Sequence, residues 1–319
     1  PQWTFDRDRA VQRWAVKAGV ALREQPQNGV IRRQTGGEGW ARRWEAVMLA
    51  PRVKAPDLLP PTNIPTGDWP IADDFRLPAD SCPQRQPGGR AEGVERLRSF
   101  IAARGRRYRT AMASPQSAEG ACSRLSPHFA WQAAARARTD LALDGDSTFA
   151  ASLDSFMDRL QWHCRFIQKL DDQTSIAGRN LLAAPDGLRD SVTDGDPRLE
   201  AWIHGRTGFP FLDACMRSLN QTGWLNHRMR AMVMAFAAQH LWMDWRQPAT
   251  RLAALFTDFE AGIHYPQAQS HSGAAGSGIP RIYNPVKQSL DHDRDGDFIR
   301  RWVPELAALP AAHIHAPWD

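Results

Sequence analysis

Apolar positions along the chain fall into three regimes. From Phe5 to about Ala18 they recur with helical spacing, at Val11, Trp14, Ala15 and Ala18. "GVALREQP", residues 19–26, alternates like a strand, and "QNGVIRR" carries an Asn-Gly turn signal before another short apolar run. Helix, strand and turn in this order suit the last part of an α/β domain, and residues 1–50 are expected to be a remnant of one. One or two strands cannot close a buried sheet. Residues 51–88 hold the densest prolines, as in "LAPRVKAPDLLPPTNIPTGDWP" from Leu49 onward, and predict an extended linker.

From residue 89 to 319 helical patterns dominate. Leu97, Phe100 and Ile101 mark one helix, and Ser126 before Pro127 reads as an N-cap followed by proline at the first helical position. The run Phe129–Leu143 follows, then a longer amphipathic helix over Phe149–Leu170. Further helices are predicted over Phe211–Leu219, Asn226–Trp245 and Thr250–Phe259. The fold class expected is mainly α, a large helical domain behind an α/β remnant and a proline-rich linker.

Composition narrows the classes. A length of 319 residues sets a soft prior of about two domains, and 42% hydrophobic content allows a sizeable core. No apolar run approaches the ~18 residues of a membrane span, so no membrane association is expected. The start, "PQWTFDRDRA", resembles neither a signal nor a transit peptide and looks like the middle of something. Net charge is +5, arginine far outnumbers lysine, and a planar guanidinium suits phosphate. That balance permits a nucleic-acid partner without demanding one, since an arginine-rich composition alone also produces it. Cys82, Cys122, Cys164 and Cys215 have no CxxC-type spacing, so no metal site is expected. Scattered cysteines fit a reducing, cytoplasmic setting.

The chemistry concentrates in "TGFPFLDACMRSLNQTGWLNHRMRAM", Thr207 to Met232, where Arg217, Arg228 and Arg230 crowd an apolar helix. With "DWRQPATRLAALFTDFEAGIH", "RIYNPVKQSLDHDRDGDFIRRWVPEL", "IHAPW" and, upstream, "YRTAMASPQSAEGACSRLSPHFAW", this stretch resembles the FAD-binding helical domain of the photolyase/cryptochrome family. The ordered motifs cover roughly Gly88 to Asp319, and "RDRAVQRWAVKAGV" resembles the tail of that family's N-terminal antenna domain.

The resemblance implies FAD as cofactor. It places Tyr108, the "CSRLS" run (Cys122, Ser123, Arg124, Leu125, Ser126) and His163 at the flavin. Backbone N–H groups and hydroxyls at a helix entrance suit a pyrophosphate. Asp258 is implied to pair with Arg230 beside the flavin ring, with Glu260 two residues on. Arg159, Trp162, Asn226, His227 and Arg228 are implied to face DNA, and Trp162 either stacks on a flipped base or is a core tryptophan. Trp224 reads as core, and Asp213 with Arg217 as a helix pair at i,i+4.

The chain departs from the family pattern in several places. Cys122 replaces a threonine. His264 replaces an asparagine facing the flavin N5, and a histidine titrates near neutrality. The flavin radical is therefore expected to change form with pH between about 6 and about 9. Of the family's tryptophan ladder only Trp245 remains; the other rungs fall on Ala268 and near Val192, and Trp242 with Tyr265 offers another route. Arg159 replaces a glutamate that binds damaged bases, and His227 replaces a cavity asparagine. Trp162, Trp245 and His264 are the expected catalytic residues. The implied function is a monomeric, light-driven photolyase that splits pyrimidine dimers in damaged DNA. The alternatives are a cryptochrome-like FAD photoreceptor without repair, and a flavin-free helical interaction domain.

Overall fold

The computed structural model describes residues 2–24, 29–31, 39–51, 82–130, 147–276 and 281–318, with most positions between 54 and 79. The helices among them are α1 (Gln2–Ala18), α2 (Trp40–Leu49), α3 (Arg90–Ala102), α4 (Tyr108–Ala111), α5 (Pro115–Ala121), α6 (Ser126–Ala130) and α7 (Ser147–Asp172). They continue with α8 (Pro197–Ile203), α9 (Pro210–Thr222), α10 (His227–Gln239), α11 (Arg246–Leu255), α12 (Ala261–Ser272), α13 (Pro285–His292) and α14 (Asp297–Trp302). No strand occurs among the described residues, where Asp190 and Met243 form an isolated parallel bridge.

The expected strand over residues 19–26 is not formed at 19–24, which are irregular. Alternation alone does not make a strand; ladder partners do, and none lies alongside. The run Phe129–Leu143 lies mostly outside the described residues. The stripe on α1 marks no buried face: Ala15 is buried, whereas Val11 and Trp14 are exposed. The helix expected over Asn226–Trp245 ends at Gln239. Trp242 adopts a left-handed φ of 56°, and the Met243 N–H returns to the Ala237 carbonyl at 3.1 Å. This reversal keeps the apolar pattern running, with Met243 and Trp245 buried, while the helix stops.

The main core joins α8 through α12 and α14, centred on Trp202, Phe211, Leu212, Met229, Val233 and Phe298. A second cluster, Phe100, Tyr108, Leu125, Leu153 and Phe156, ties α3 and α4 to α7. Trp40, Trp44 and Met48 pack α2 on Cys164 of α7. α10 is rich in alanine and methionine and buried along most of its length, so neighbours approach from nearly every side.

Two local choices set the space between α7, α10 and α12. Glu260 caps α12, its carboxylate accepting from the Gly262 N–H at 3.3 Å. A Cβ on Gly262 would stand 2.9 Å from Ile167 Cα and 3.0 Å from the Phe166 carbonyl oxygen, so α12 crosses α7 backbone to backbone. α9 ends at Gly223 with a φ of 67°, where a Cβ would collide with Thr257 Oγ1.

The i,i+4 pair of Asp213 and Arg217 is not what holds α9. Asp213 accepts from the backbone N–H groups of Thr207 and Gly208, each at 2.9 Å, and from the Thr207 hydroxyl at 2.6 Å. Arg217 turns to Glu305 at 2.7 Å and to the Gly205 carbonyl at 2.9 Å. The loop leading into α9 offers the carboxylate these N–H groups, and a buried acceptor takes them first.

Candidate functional site

Between α7 on one side and α10 and α12 on the other lies a cavity of about 440 Å³, to whose lining the α4–α6 segment also contributes. Its inner wall carries an ion pair. Arg230 Nη2 donates to both Asp258 oxygens, at 3.0 and 2.8 Å, and its Nε donates to the Leu225 carbonyl at 2.8 Å. The guanidinium lies 4.1 Å from the centre of the Phe256 ring. Burial alone would raise the Asp258 carboxyl. The Arg230 charge and hydrogen bonds, with one from the Ser126 hydroxyl, override it and hold the group below its ordinary range. The carboxylate is therefore ionised and fixed.

The α4–α6 segment brings polar groups to the wall. Arg104 donates to the carbonyls of Cys122 and Ser123, pinning the loop before α6. Arg124 has a left-handed φ of 60°, which costs energy in a residue with a Cβ and turns the chain sharply at the α6 entrance. Its guanidinium covers Trp224 at 4.0 Å and donates to Gln86 at 3.2 Å. Trp224 is buried as expected, yet it also lines the cavity. Cys122, Ser123, Arg124 and Ser126 reach the cavity. The Leu125 side chain does not: it is fully buried in the second core cluster, because a leucine at this turn has an apolar neighbour in Phe100. Burial also pushes the Cys122 thiol up to about 11 and the Tyr108 phenol up to about 12.

Four histidines face the cavity, and all are held neutral. Burial lowers His163 to about 4. His264 is also lowered to about 4 by burial, outweighing its bond to Ala249. His264 Nε2 lies 2.7 Å from that carbonyl oxygen, which only accepts, so Nε2 carries the proton and Nδ1 the lone pair. His227 and His271 stand with ring centres 5.9 Å apart across α10 and α12. His227 is open to the cavity, yet surrounding protein lowers it to about 4, helped by Arg230, Arg159 and Arg228. His271 is lowered to about 4 by burial, then by His227 and Arg281. Glu260 also lines the cavity, and burial raises its carboxyl. His264 thus does not titrate near neutrality, contrary to the sequence expectation.

At the mouth, Trp162 is 55% exposed, which excludes its reading as a core tryptophan. The Arg159 guanidinium lies 5.6 Å from its ring, and Arg228, exposed on α10, lines the same cavity. Asn226 also lines the cavity. Its amide donates to the Met112 and Ala113 carbonyls at 3.0 and 2.9 Å, tying α10 to the α4–α5 turn, and its Oδ1 has no partner among the described residues. Trp245 lies outside the cavity wall, buried, with its indole N–H donating to Asn180 at 2.6 Å. Ala268 lines the wall, and Val192 is in the core. Sequence reasoning missed His271 and Phe256. His264, Ala268 and His271 recur at i, i+4 and i+7 on α12, a stripe that was visible and was not singled out.

A family model described as the FAD binding domain of DNA photolyase matches residues 156–319. The chain belongs to the photolyase/cryptochrome family. It is similar to the deoxyribodipyrimidine photo-lyase of Streptomyces griseus, 31% identical over 294 residues that cover 87% of this chain and 59% of that protein. Cryptochrome-2 of Arabidopsis thaliana is 40% identical over 124 residues, 38% of this chain and 20% of its own. Among solved structures, a bacterial class III photolyase from Agrobacterium tumefaciens superposes with a TM-score of 0.76 at 25% identity, covering 98% of this chain and 68% of that one. The chain thus spans about three fifths or less of these two curated relatives' lengths.

The family's cofactor is FAD, and the residues present fit it. The cavity combines an aromatic and aliphatic lining with a few convergent polar groups. It offers a fixed carboxylate–guanidinium pair, the Ser123 hydroxyl and the Arg124 guanidinium at the α6 entrance. Among the described residues no helix is long and apolar enough to cross a membrane, and none of the four cysteines forms a disulfide.

Proposed function

We propose that this photolyase-family chain is a light-driven DNA repair flavoprotein that splits pyrimidine dimers. The observation that carries the reading is the exposed part of the cavity lining, where Trp162 stands beside Arg159 and Arg228 is also exposed. Enzymes that act on a base inside a duplex extrude it and stack it on an aromatic surface. An indole at the mouth supplies that surface, and the guanidiniums meet the phosphates that flank an extruded base. Relatives named deoxyribodipyrimidine photo-lyase support the substrate class.

FAD supplies, when bound and reduced, the electron for the cleavage. The chain's residues do the rest. Cys122, Ser123 and Arg124 hold the phosphates, with the Ser126 backbone N–H, Tyr108, the Leu125 backbone and His163 beside them, while the Ser126 hydroxyl stays on Asp258. Arg230 and Asp258 fix a paired charge at the ring, so that negative charge there meets a guanidinium already oriented. Glu260 keeps the start of α12 in place. His264 presents a neutral ring whose Nδ1 accepts a hydrogen bond. Asn226 positions His227 and Arg228 by anchoring the start of α10. We assign the FAD-binding domain to residues 89–319, behind a linker at 51–88 and a separate segment at 1–50, in a cytoplasmic monomer.

A cryptochrome-like photoreceptor is the second reading, favoured by the loss of ladder tryptophans at Ala268 and Val192 and by similarity to a plant cryptochrome. Blue-light illumination of the purified, FAD-loaded protein with dimer-containing DNA separates the two. Loss of dimers supports repair, and intact dimers with a photoactive flavin support sensing.

A further inference from the structure

Gln86, in the loop ahead of α3, is buried, does not line the cavity, and grips Arg124 at two points. Its Nε2 donates to the Arg124 carbonyl at 2.9 Å, and its Oε1 accepts from the Arg124 Nε at 3.2 Å. A carbonyl only accepts and a guanidinium only donates, so the amide fits one way round. The other Nε2 proton meets Nε2 of the buried His128 at 3.0 Å, and both amide protons are then used. The loop that carries Gln86 is fixed in turn. The Gln84 N–H donates to the Gln221 carbonyl at 2.9 Å. Arg85 Nη1 donates to the Thr257 hydroxyl at 2.7 Å, one residue before Asp258. Arg104, which does not line the cavity either, holds the Cys122 and Ser123 carbonyls. Three successive carbonyls, those of residues 122–124, are thus engaged by side chains from outside the cavity, which draws their negative ends away from an anion inside it.

We infer that Gln86 is a positioning residue for the cofactor's phosphates, holding Arg124 in the left-handed turn from which its guanidinium joins the cavity lining. The inference rests on the cavity being the FAD site. A φ of 60° is costly for a residue with a Cβ, and it persists only where neighbours over-determine it. Gln86 supplies two such constraints on one residue, one on the backbone and one on the side chain. The Trp224 ring, 4.0 Å from the guanidinium, supplies a third. Without Gln86 the Arg124 carbonyl and Nε lose their partners, the turn relaxes, and the guanidinium is no longer held in place. Gln86 touches no phosphate itself and acts only through Arg124.

The test uses the whole 319-residue chain freed of flavin. FAD affinity is read by quenching of flavin fluorescence on titration, and amide hydrogen exchange at residues 123–125 is read with no flavin present. Gln86→Met, close in length and volume, weakens FAD binding about tenfold or more, the worth of a hydrogen bond to a charged group, and speeds exchange at the turn. In an Arg124→Ala background the same change leaves FAD affinity within about twofold, whereas a merely structural role would lower affinity equally in both backgrounds. Gln86→Asn, one methylene too short to reach both atoms of Arg124, carries the same test should Gln86→Met fail to fold. Parent-like FAD affinity, unchanged exchange at the turn, or an equal loss with and without Arg124 each overturns the inference. A wrong cavity assignment reads out differently, as a parent that binds no FAD or whose FAD affinity ignores changes at Asp258 and Arg230, and it takes the inference with it.

Discussion

His264 gives its Nε2 proton to the Ala249 carbonyl at 2.7 Å, a bond between neighbouring helices α12 and α11 that fixes both the ring and its tautomer. Burial keeps the ring neutral, with a pKa lowered to about 4. The flavin radical formed on illumination is therefore the same from about pH 6 to about pH 9, well above this titration. His264→Asn leaves that flat profile unchanged. A spectral change with a midpoint in this range, present in the parent and absent in His264→Asn, would contradict the assignment.

Acid should unfold the protein early. His163, His264 and His271 each fall from 6.5 to about 4 in the fold, through burial. The native state disfavours their protonated forms, so their stability is full above the unfolded pKa and is lost as pH falls from 6.5 towards 4. Each group contributes on the order of 3 kcal/mol at most across that window. The urea midpoint at pH 5 is expected well below that at pH 7.5. Equal midpoints would mean that these rings are solvated.

How much of this was legible beforehand varies by element. The stripes of α7 and α9 were, because Phe149, Leu153 and Phe156 on α7 and Phe211, Leu212 and Leu219 on α9 each face a core cluster. The end of α10 was not: the apolar pattern continues through Met243 and Trp245, and only the left-handed turn at Trp242 breaks the helix. The pairing of Arg230 with Asp258 came through resemblance, since nothing in residues 28 apart announces contact. The neutrality of His264 was hidden, because the Ala249 carbonyl and the burial that set it come from packing. The facing of His227 and His271 was hidden for the same reason, being a property of how α10 meets α12.

Gly262→Ala tests the crossing of α7 and α12. The added methyl meets backbone atoms of Ile167 and Phe166 at about 3 Å, which a rotamer change cannot relieve. A loss of about 1–3 kcal/mol in denaturant unfolding is expected, with weaker FAD retention as the wall shifts. Unchanged stability would mean that the two helices part without cost.

Arg228→Ala tests the mouth. If Arg228 meets a DNA phosphate, its loss weakens binding across sequences and reduces the slope of log affinity against log salt by about one. An identical slope removes Arg228 from the DNA face.

The most direct test of the account joins cofactor to chemistry. FAD occupancy and blue-light loss of thymine dimers are measured together for the parent and for Asp258→Asn. In the variant Arg230 keeps its bond to the Leu225 carbonyl and is 25% exposed, so breaking the pair costs about 3 kcal/mol, the lower end for a buried pair. The account predicts a parent that carries FAD and removes dimers only in the light, and a variant that loses FAD and repair together. A reduced, FAD-loaded parent that leaves dimers intact under blue light would contradict it.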